Sequence, residues 1–355
     1  MKEIIEELRN SLRKNEAMLI KSSSNRFYLT GFKSSAGTVL ITAQKAVFFV
    51  DFRYYEKAKQ TVCSLDVVLQ TSLLSQIKDF CCDNGIDTVY IETESVTVAQ
   101  LEAYKKALEG IGISCDNRAD YLLNELRSVK SQSEIGRIKE AQRLTDETFS
   151  YIISRPLKGR SEREVMLDME FYMRKAGSEG VSFDFIVVSG KNSSLPHGVP
   201  TDKIIEQGDF VTMDFGAVVD GYHSDMTRTV AVGFVTDEQR AVYETVLKAQ
   251  NAAINAAKSG IVCSEIDKIS RDIIYESGYE GCFGHALGHS VGIDIHENPA
   301  FSPSCNAVLK PGMIITVEPG IYLENKFGVR IEDMIIVKEK GCEDITRSEK
   351  SLMIL

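Results

Sequence analysis

The chain has no long hydrophobic run, no paired-cysteine motif and no basic excess, and each absence removes a class of protein. No stretch of its 355 residues approaches the roughly 18 apolar positions of a membrane-spanning helix. The opening MKEIIEELRNSLRKNE has the pattern of an amphipathic helix rather than a cleavable leader. Lys and Arg number 41 against 51 Asp and Glu, a formal net charge of −10, which argues against a nucleic-acid surface. The eight cysteines (Cys63, Cys81, Cys82, Cys115, Cys263, Cys282, Cys305 and Cys342) form neither a CxxC pair nor a disulfide framework. A reducing compartment follows, and the expectation is a cytoplasmic protein. The length is enough for two domains with full cores.

Two regions differ in rhythm. Up to about residue 120, β-rich runs (AMLIKSS, TVLITA, AVFFVDF, LDVVLQ, TVYIET) alternate with helical ones (RYYEKAKQTV, SLLSQIKDFCCDN, TVAQLEAYKKALEG), an α/β signature. Asp120 to Ser131 reads as a bridge into a long helix capped by Ser131 or Ser133, with Glu134 in its first turn. The domain boundary is set there, giving residues 1–124 and 125–355. The second region predicts helices over about 132–154, 161–176, 237–258 and 264–277. Strands are expected over about 183–189, 209–219, from 282, 313–322 and 329–338. Two αα-ββ halves would then build a pseudo-twofold antiparallel sheet with helices on one face, an α+β arrangement.

The candidate chemistry lies in this second region. In GDFVTMDFGAVVDGYHSDMTRT the Asp220-Gly221 pair is a strong hairpin signal and sets a register. If Val219 pairs with Tyr222, Gly216 faces Asp225 and Asp214 faces Thr227, so Asp214 and Asp225 lie diagonally on one sheet face. Glu318 in GMIITVEPGIY and Glu332 in GVRIEDMIIV sit in apolar strands, and a turn near Asn325 and Lys326 sets them opposite each other. Taken singly, each acid reads as an ordinary solvated residue. Together, four carboxylates on adjoining strands with apolar neighbours require a cation between them. His289, in the glycine-rich GHALGHSVGIDIHENP, completes a five-ligand set able to hold two divalent ions in the cleft between the halves. Imidazole with oxygen ligands suits manganese first, with cobalt, zinc or iron as alternatives.

The strings SLPHGVPTD, MDFGAVVDGYHSDMTRT, GHALGHSVGIDIHENP, VEPGIY and GVRIEDM resemble, in order and nearly in spacing, the aminopeptidase P and prolidase family of pita-bread metallopeptidases. NRFYLTGFKSSAGTVLITAQKAVFFVDFRYYEKA is similar to the family's amino-terminal domain, and NELRSVKSQSEIGRIKEA to its linker. The resemblance implies a pita-bread catalytic domain behind a smaller creatinase/prolidase-like α/β domain. It implies that Asp214 binds one metal, His289 and Glu318 the other, and that Asp225 and Glu332 bridge. A water activated between the ions would attack the scissile carbonyl, and Glu318 would carry its proton to the proline nitrogen. The family pattern assigns His296 to the oxyanion, His197 and His285 to the substrate walls, and Tyr322 and Arg330 to the neighbourhood of the substrate. It also implies a homodimer. His223 matches no catalytic position, and Arg330 could instead hold Glu332 or Asp333.

Some positions depart from the pattern. Ala286, Leu287 and Ser290 stand in the GHxxGHG-like stretch, and are expected to narrow the cleft without touching a ligand. Ala300 stands where some prolidases carry an arginine that captures a dipeptide's carboxylate. That absence favours cleavage of the Xaa-Pro bond in longer peptides, with a dipeptidase as the alternative. Methionine aminopeptidase fits poorly because of the large amino-terminal region and the HENP histidine. A creatinase-like enzyme or a non-catalytic binding protein is disfavoured by the intact ligand set.

Overall fold

The computed structural model describes residues 1–355 and divides them into two compact units, 1–127 and 128–355. The first contains α1 (Lys2–Asn10), β1 (Glu16–Ile20), α2 (Ser23–Thr30), β2 (Thr38–Thr42), β3 (Ala46–Val50), α3 (Phe52–Thr61), β4 (Asp66–Leu69), α4 (Leu73–Asp83), β5 (Thr88–Ile91), α5 (Val98–Ala107), β6 (Gly112–Ser114) and α6 (Arg118–Ser128). Its six strands lie in the order β4-β3-β2-β1-β5-β6. Only β2 runs antiparallel to its neighbours. β1 and β2 are buried at every position, as strands covered on both faces must be. Ile77 and Cys81 of α4 and Tyr104 of α5 pack with Leu19, Leu40 and Val89 of the sheet.

Two helices lie outside the strand-helix alternation expected for this unit. α6 occupies much of the stretch expected as a bridge, and α2 begins immediately after β1. Ser22 caps α2 through its side chain, and Gly31 ends it at φ 66.

The second unit contains α7 (Gln132–Ile153), α8 (Glu162–Lys175), β7 (Ile186–Ser189), β8 (Phe210–Phe215), β9 (Val218–Val219), β10 (Tyr222–His223) and β11 (Met226–Ala231). Then follow α9 (Asp237–Ala256), α10 (Cys263–Ile274), β12 (Gly288–Ser290), β13 (Glu297–Phe301), β14 (Ile314–Val317), β15 (Gly320–Leu323), β16 (Phe327–Arg330), β17 (Asp333–Val337) and β18 (Cys342–Asp344). The repeat of two helices followed by antiparallel strands is the α+β arrangement expected. α7, α8 and α9 open with capping boxes, Ser131 with Glu134, Ser161 with Glu164, and Thr236 with Gln239. Of the two candidate caps for α7, Ser131 is the one used.

Each half has its own core. Val165, Met169 and Met173 of α8 pack with Val187 of β7 and Met213 of β8. Val242, Val246 and Ala249 of α9 pack with Ile315 and Val317 of β14 and Ile335 of β17. The sheets are β11-β8-β7 and β13-β12-β14-β17-β18, with β9-β10 and β15-β16 as two-stranded ribbons. No helix is long and apolar enough to cross a membrane.

Candidate active site

The hairpin register holds as the Asp-Gly turn requires. Asp220 and Gly221 adopt φ 47 and 77, and Val219 pairs with Tyr222. Asp214 pairs with Thr227, so Asp214 and Asp225 share a face. In the other half Gly320 pairs with Arg330 and Val317 with Asp333, which brings Glu318 opposite Glu332. His289 is placed by β12, whose close approach to β14 demands glycine at 288. A Cβ there would lie 1.9 Å from the Thr316 carbonyl oxygen. Thr316 then accepts the His289 amide and donates its hydroxyl to Glu318 Oε1 at 3.1 Å.

Asp214, Asp225, His289, Glu318 and Glu332 all line one cleft of about 930 Å³. His289 Nε2 stands 3.5 Å from Asp225 Oδ2 and 3.4 Å from Glu318 Oε1. Its Nδ1 lies 3.2 Å from the Ser290 carbonyl, which can only accept, so that nitrogen carries the proton and Nε2 turns a lone pair toward two carboxylates. Asp225, His289 and Glu332 offer donor atoms within 4.8 Å of one another. Asp214 Oδ1 and Glu332 Oε1 are buried without a hydrogen-bond partner. Burial, then the Asp214 and Glu318 carboxylates, push the Asp225 carboxyl well above its usual range. Burial, then Asp225 and Glu318, do the same to Glu332, and burial raises Glu318. Orphaned oxygens, converging lone pairs and excess acid are what hard divalent cations with nitrogen and oxygen ligands would satisfy.

Arg330 does not hold Glu332 or Asp333. Its Nη2 donates to Asp214 Oδ2 at 2.6 Å, its Nε to Thr227 Oγ1 at 3.0 Å and its Nη1 to the Tyr322 hydroxyl at 2.8 Å. The Tyr322 hydroxyl lies 2.9 Å from His285 Nε2. His285 Nδ1 faces the Ala286 carbonyl at 2.8 Å and so carries the proton, which leaves Nε2 to accept from Tyr322. Burial, then Arg330, push the His285 pKa down to about 4, and the ring is neutral. Arg330 and His285 line the cleft, whereas Tyr322 links them from behind its wall. Asp333 is held by Arg228, a residue the sequence reading did not single out. Its signal was a cation in the run MTRTV, in a strand buried throughout.

His296 and His197 line the same cleft. The His296 ring centroid is 4.3 Å from that of His289, and burial, then His289, lower its pKa. His197 is exposed, on the loop that follows a short 3-10 turn, Gly190–Ser194. That loop is tied down by Glu162, a fully buried acid missed in the sequence. Glu162 accepts from Ser189 N at 2.7 Å, Asn192 Nδ2 at 3.0 Å and Thr201 N at 3.0 Å. His223 pairs with Ser182 Oγ at 2.8 Å and is absent from the cleft lining. Leu287 is fully buried and Ser290 donates to the Pro299 carbonyl, so of the three departures only Ala286 borders the cleft. Ala300 borders it too. Glu297 of the HENP string is bound instead to Lys130 at 3.2 Å and to the Ile293 amide at 2.9 Å.

Residues 136–339 match Metallopeptidase family M24, and residues 5–129 match the Creatinase/Prolidase N-terminal domain. An Xaa-Pro dipeptidase of Pyrococcus horikoshii is 38% identical over 356 residues, covering 99% of this chain and 98% of its own. The structure of an Xaa-Pro dipeptidase from Bacillus anthracis superposes with a TM-score of 0.95 at 41% identity, covering 99% of both chains. That of an X-Pro aminopeptidase from Thermotoga maritima gives 0.90 at 35% identity, covering 98% of this chain and 100% of that one.

Proposed function

Because the chain belongs to metallopeptidase family M24, among the Xaa-Pro dipeptidases and aminopeptidases, we propose that it removes the residue preceding proline from the amino terminus of peptides that continue past that proline. The observation that carries this reading is the acid-rich buried cluster facing a cleft of about 930 Å³, near the top of the ~300–1,000 Å³ range of ligand sites. Ala300 on the cleft wall presents no cation to a dipeptide carboxylate.

Asp214, Asp225, His289, Glu318 and Glu332 would hold two divalent ions, manganese by the oxygen-rich donor set with cobalt or zinc as alternatives. When bound, such ions supply an acidified water and positive charge for the carbonyl oxygen. The protein's own groups do the rest. Glu318, its carboxyl raised by burial, takes up a proton and delivers it to the proline nitrogen, which cannot depart as an anion. His296 donates a ring N–H to the oxygen on which charge develops. His197 and His285 border the substrate. Arg330 fixes Asp214 and, through Tyr322, keeps His285 in one tautomer. The eight free cysteines support a reducing, cytoplasmic setting. A homodimer is proposed with it, and light scattering that finds a stable, active monomer would remove that part.

A second reading, a strict Xaa-Pro dipeptidase, is favoured by the dipeptidases among the similar proteins. Steady-state assays with manganese, pairing Xaa-Pro dipeptides with Xaa-Pro-Yaa tripeptides and longer peptides, separate the two. The expected outcome is turnover of the longer substrates with kcat/KM at least equal to that for dipeptides. Exclusive dipeptide turnover transfers the assignment to the second reading, and absence of any Xaa-Pro cleavage overturns both.

A further inference from the structure

The amino-terminal unit carries a cavity of its own, of about 400 Å³, that the peptidase reading does not use. It lies at the carboxyl ends of the sheet's parallel strands. Its lining comes from Lys21 and Ser23 just after β1, Gln70 just after β4, Ser95 past β5, and Thr38 where the antiparallel β2 begins. After β4 at one edge of the sheet, the chain crosses by α4 to β5 on the far side of β1. In open α/β sheets, the crevice beyond the strand carboxyl ends at such a reversal is where ligands bind.

The polar groups there are unbalanced. Lys21 and Arg26 both line the cavity, and neither forms an ion pair. Arg26 is 5% exposed, and its two terminal nitrogens donate only to the neutral carbonyls of Lys21 and Ser34. Its Nε has no partner, nor does Thr38 Oγ1, on a residue that is fully buried. The nearby acid is Glu92, and it is already occupied. Its oxygens accept from the Lys21 and Ser22 amides, Ser22 Oγ, Asn25 Nδ2 and Ser95 Oγ. One carboxylate therefore stands against two cations, and it fills the amide end of α2 that would otherwise attract an anion. A buried guanidinium whose one nearby counter-charge is shared with a second cation and hydrogen-bonded elsewhere is costly, and a bound anion reduces the cost.

We propose that this cavity is a binding site for a small molecule that enters through an oxyanion group, a phosphate or a carboxylate, held by Lys21, Arg26 and the Thr38 hydroxyl. Burial, then Arg26, hold the Lys21 pKa below its usual range, a tension that an anion between the two would relieve. The cavity is larger than a bare ion needs, so the physiological ligand is a metabolite bearing the group.

The test is isothermal titration of the full-length, metal-loaded protein with sodium phosphate and, separately, sodium acetate, at constant ionic strength set with chloride. Saturable binding is expected for at least one. Lys21→Met and Thr38→Val should each weaken it, the first by about tenfold or more, while Xaa-Pro hydrolysis without added anion stays at the wild-type rate. The anion that binds identifies the group. Binding at the catalytic metals would be insensitive to Lys21, so an isotherm unchanged in both variants overturns the proposal, as does absence of saturable binding by either anion. Lys21→Gln, with its backbone amide still donating to Glu92, replaces Lys21→Met if that variant fails to fold.

Discussion

Glu332 and Asp333 are adjacent in sequence, both almost fully buried, and their surroundings are opposite in sign. Asp333 lies between two cations, with Arg228 Nη2 at 2.6 Å from one oxygen and Lys350 Nζ at 2.6 Å from the other. Burial alone would raise its carboxyl, but Arg228 and Lys350 outweigh it and hold the pKa low. Glu332 faces Asp225, Glu318 and Asp214 and keeps one orphaned oxygen. Its one direct side-chain partner is the Thr227 hydroxyl at 2.7 Å. Both acids sit beside the same strand, β11, whose alternation turns Thr227 to one and Arg228 to the other. The contrast separates two uses of buried charge. A compensated cluster locks the strands together, whereas an uncompensated one is relieved by a cation or by protonation, the pattern of a place where chemistry is done.

Substitutions should pull the two clusters in different directions. On the uncompensated side, Asp225→Asn should lower kcat/KM for an Xaa-Pro peptide on the order of a thousandfold or more and reduce the metal retained after dialysis, measured by elemental analysis. On the compensated side, Arg228→Met leaves Asp333 buried with Lys350 alone. It should cost about 3–5 kcal/mol in urea unfolding of the metal-free protein. Lys350→Met removes the partly exposed partner and should cost only about 1 kcal/mol by the same measurement. The pH dependence is the smallest and most diagnostic effect. Asp225 and Glu332 have raised folded-state pKa values, so their contribution to metal-free stability is intact below the ordinary carboxylate range near 4 and lost as pH rises through the raised values. Asp333 has a lowered value, so its contribution is present above that range and lost as pH falls through the lowered one. Unfolding of the metal-free wild type should therefore become easier on going from mildly acidic to neutral pH, and manganese should flatten that slope.

What the sequence revealed tracks how local the cause was. The Asp220-Gly221 turn fixes a hairpin by backbone conformation alone, and from it the convergence of Asp214 and Asp225 follows by counting. The Glu318–Glu332 opposition follows likewise from a single turn. Pairings between distant segments were not legible. Proximity in sequence left Glu332 or Asp333 as alternative partners for Arg330, yet its guanidinium meets Asp214, 116 residues away in the chain. Glu162 holds the His197 loop from 35 residues away, and nothing in the pattern of α8 distinguishes it from a solvated first-turn acid. The amino-terminal cavity is assembled from the ends of several elements, one of them, α2, a short helix hidden in a polar stretch.

On this reading the acid cluster is unstable by itself and completed by divalent cations. Urea unfolding of the wild type and Asp225→Asn, each with and without manganese, tests it most directly. The predicted result is a metal-free variant more stable than the metal-free wild type, with manganese stabilising the wild type strongly and the variant far less. A variant less stable than the wild type without metal, and equally stabilised by manganese, would show that the cluster needs no cation.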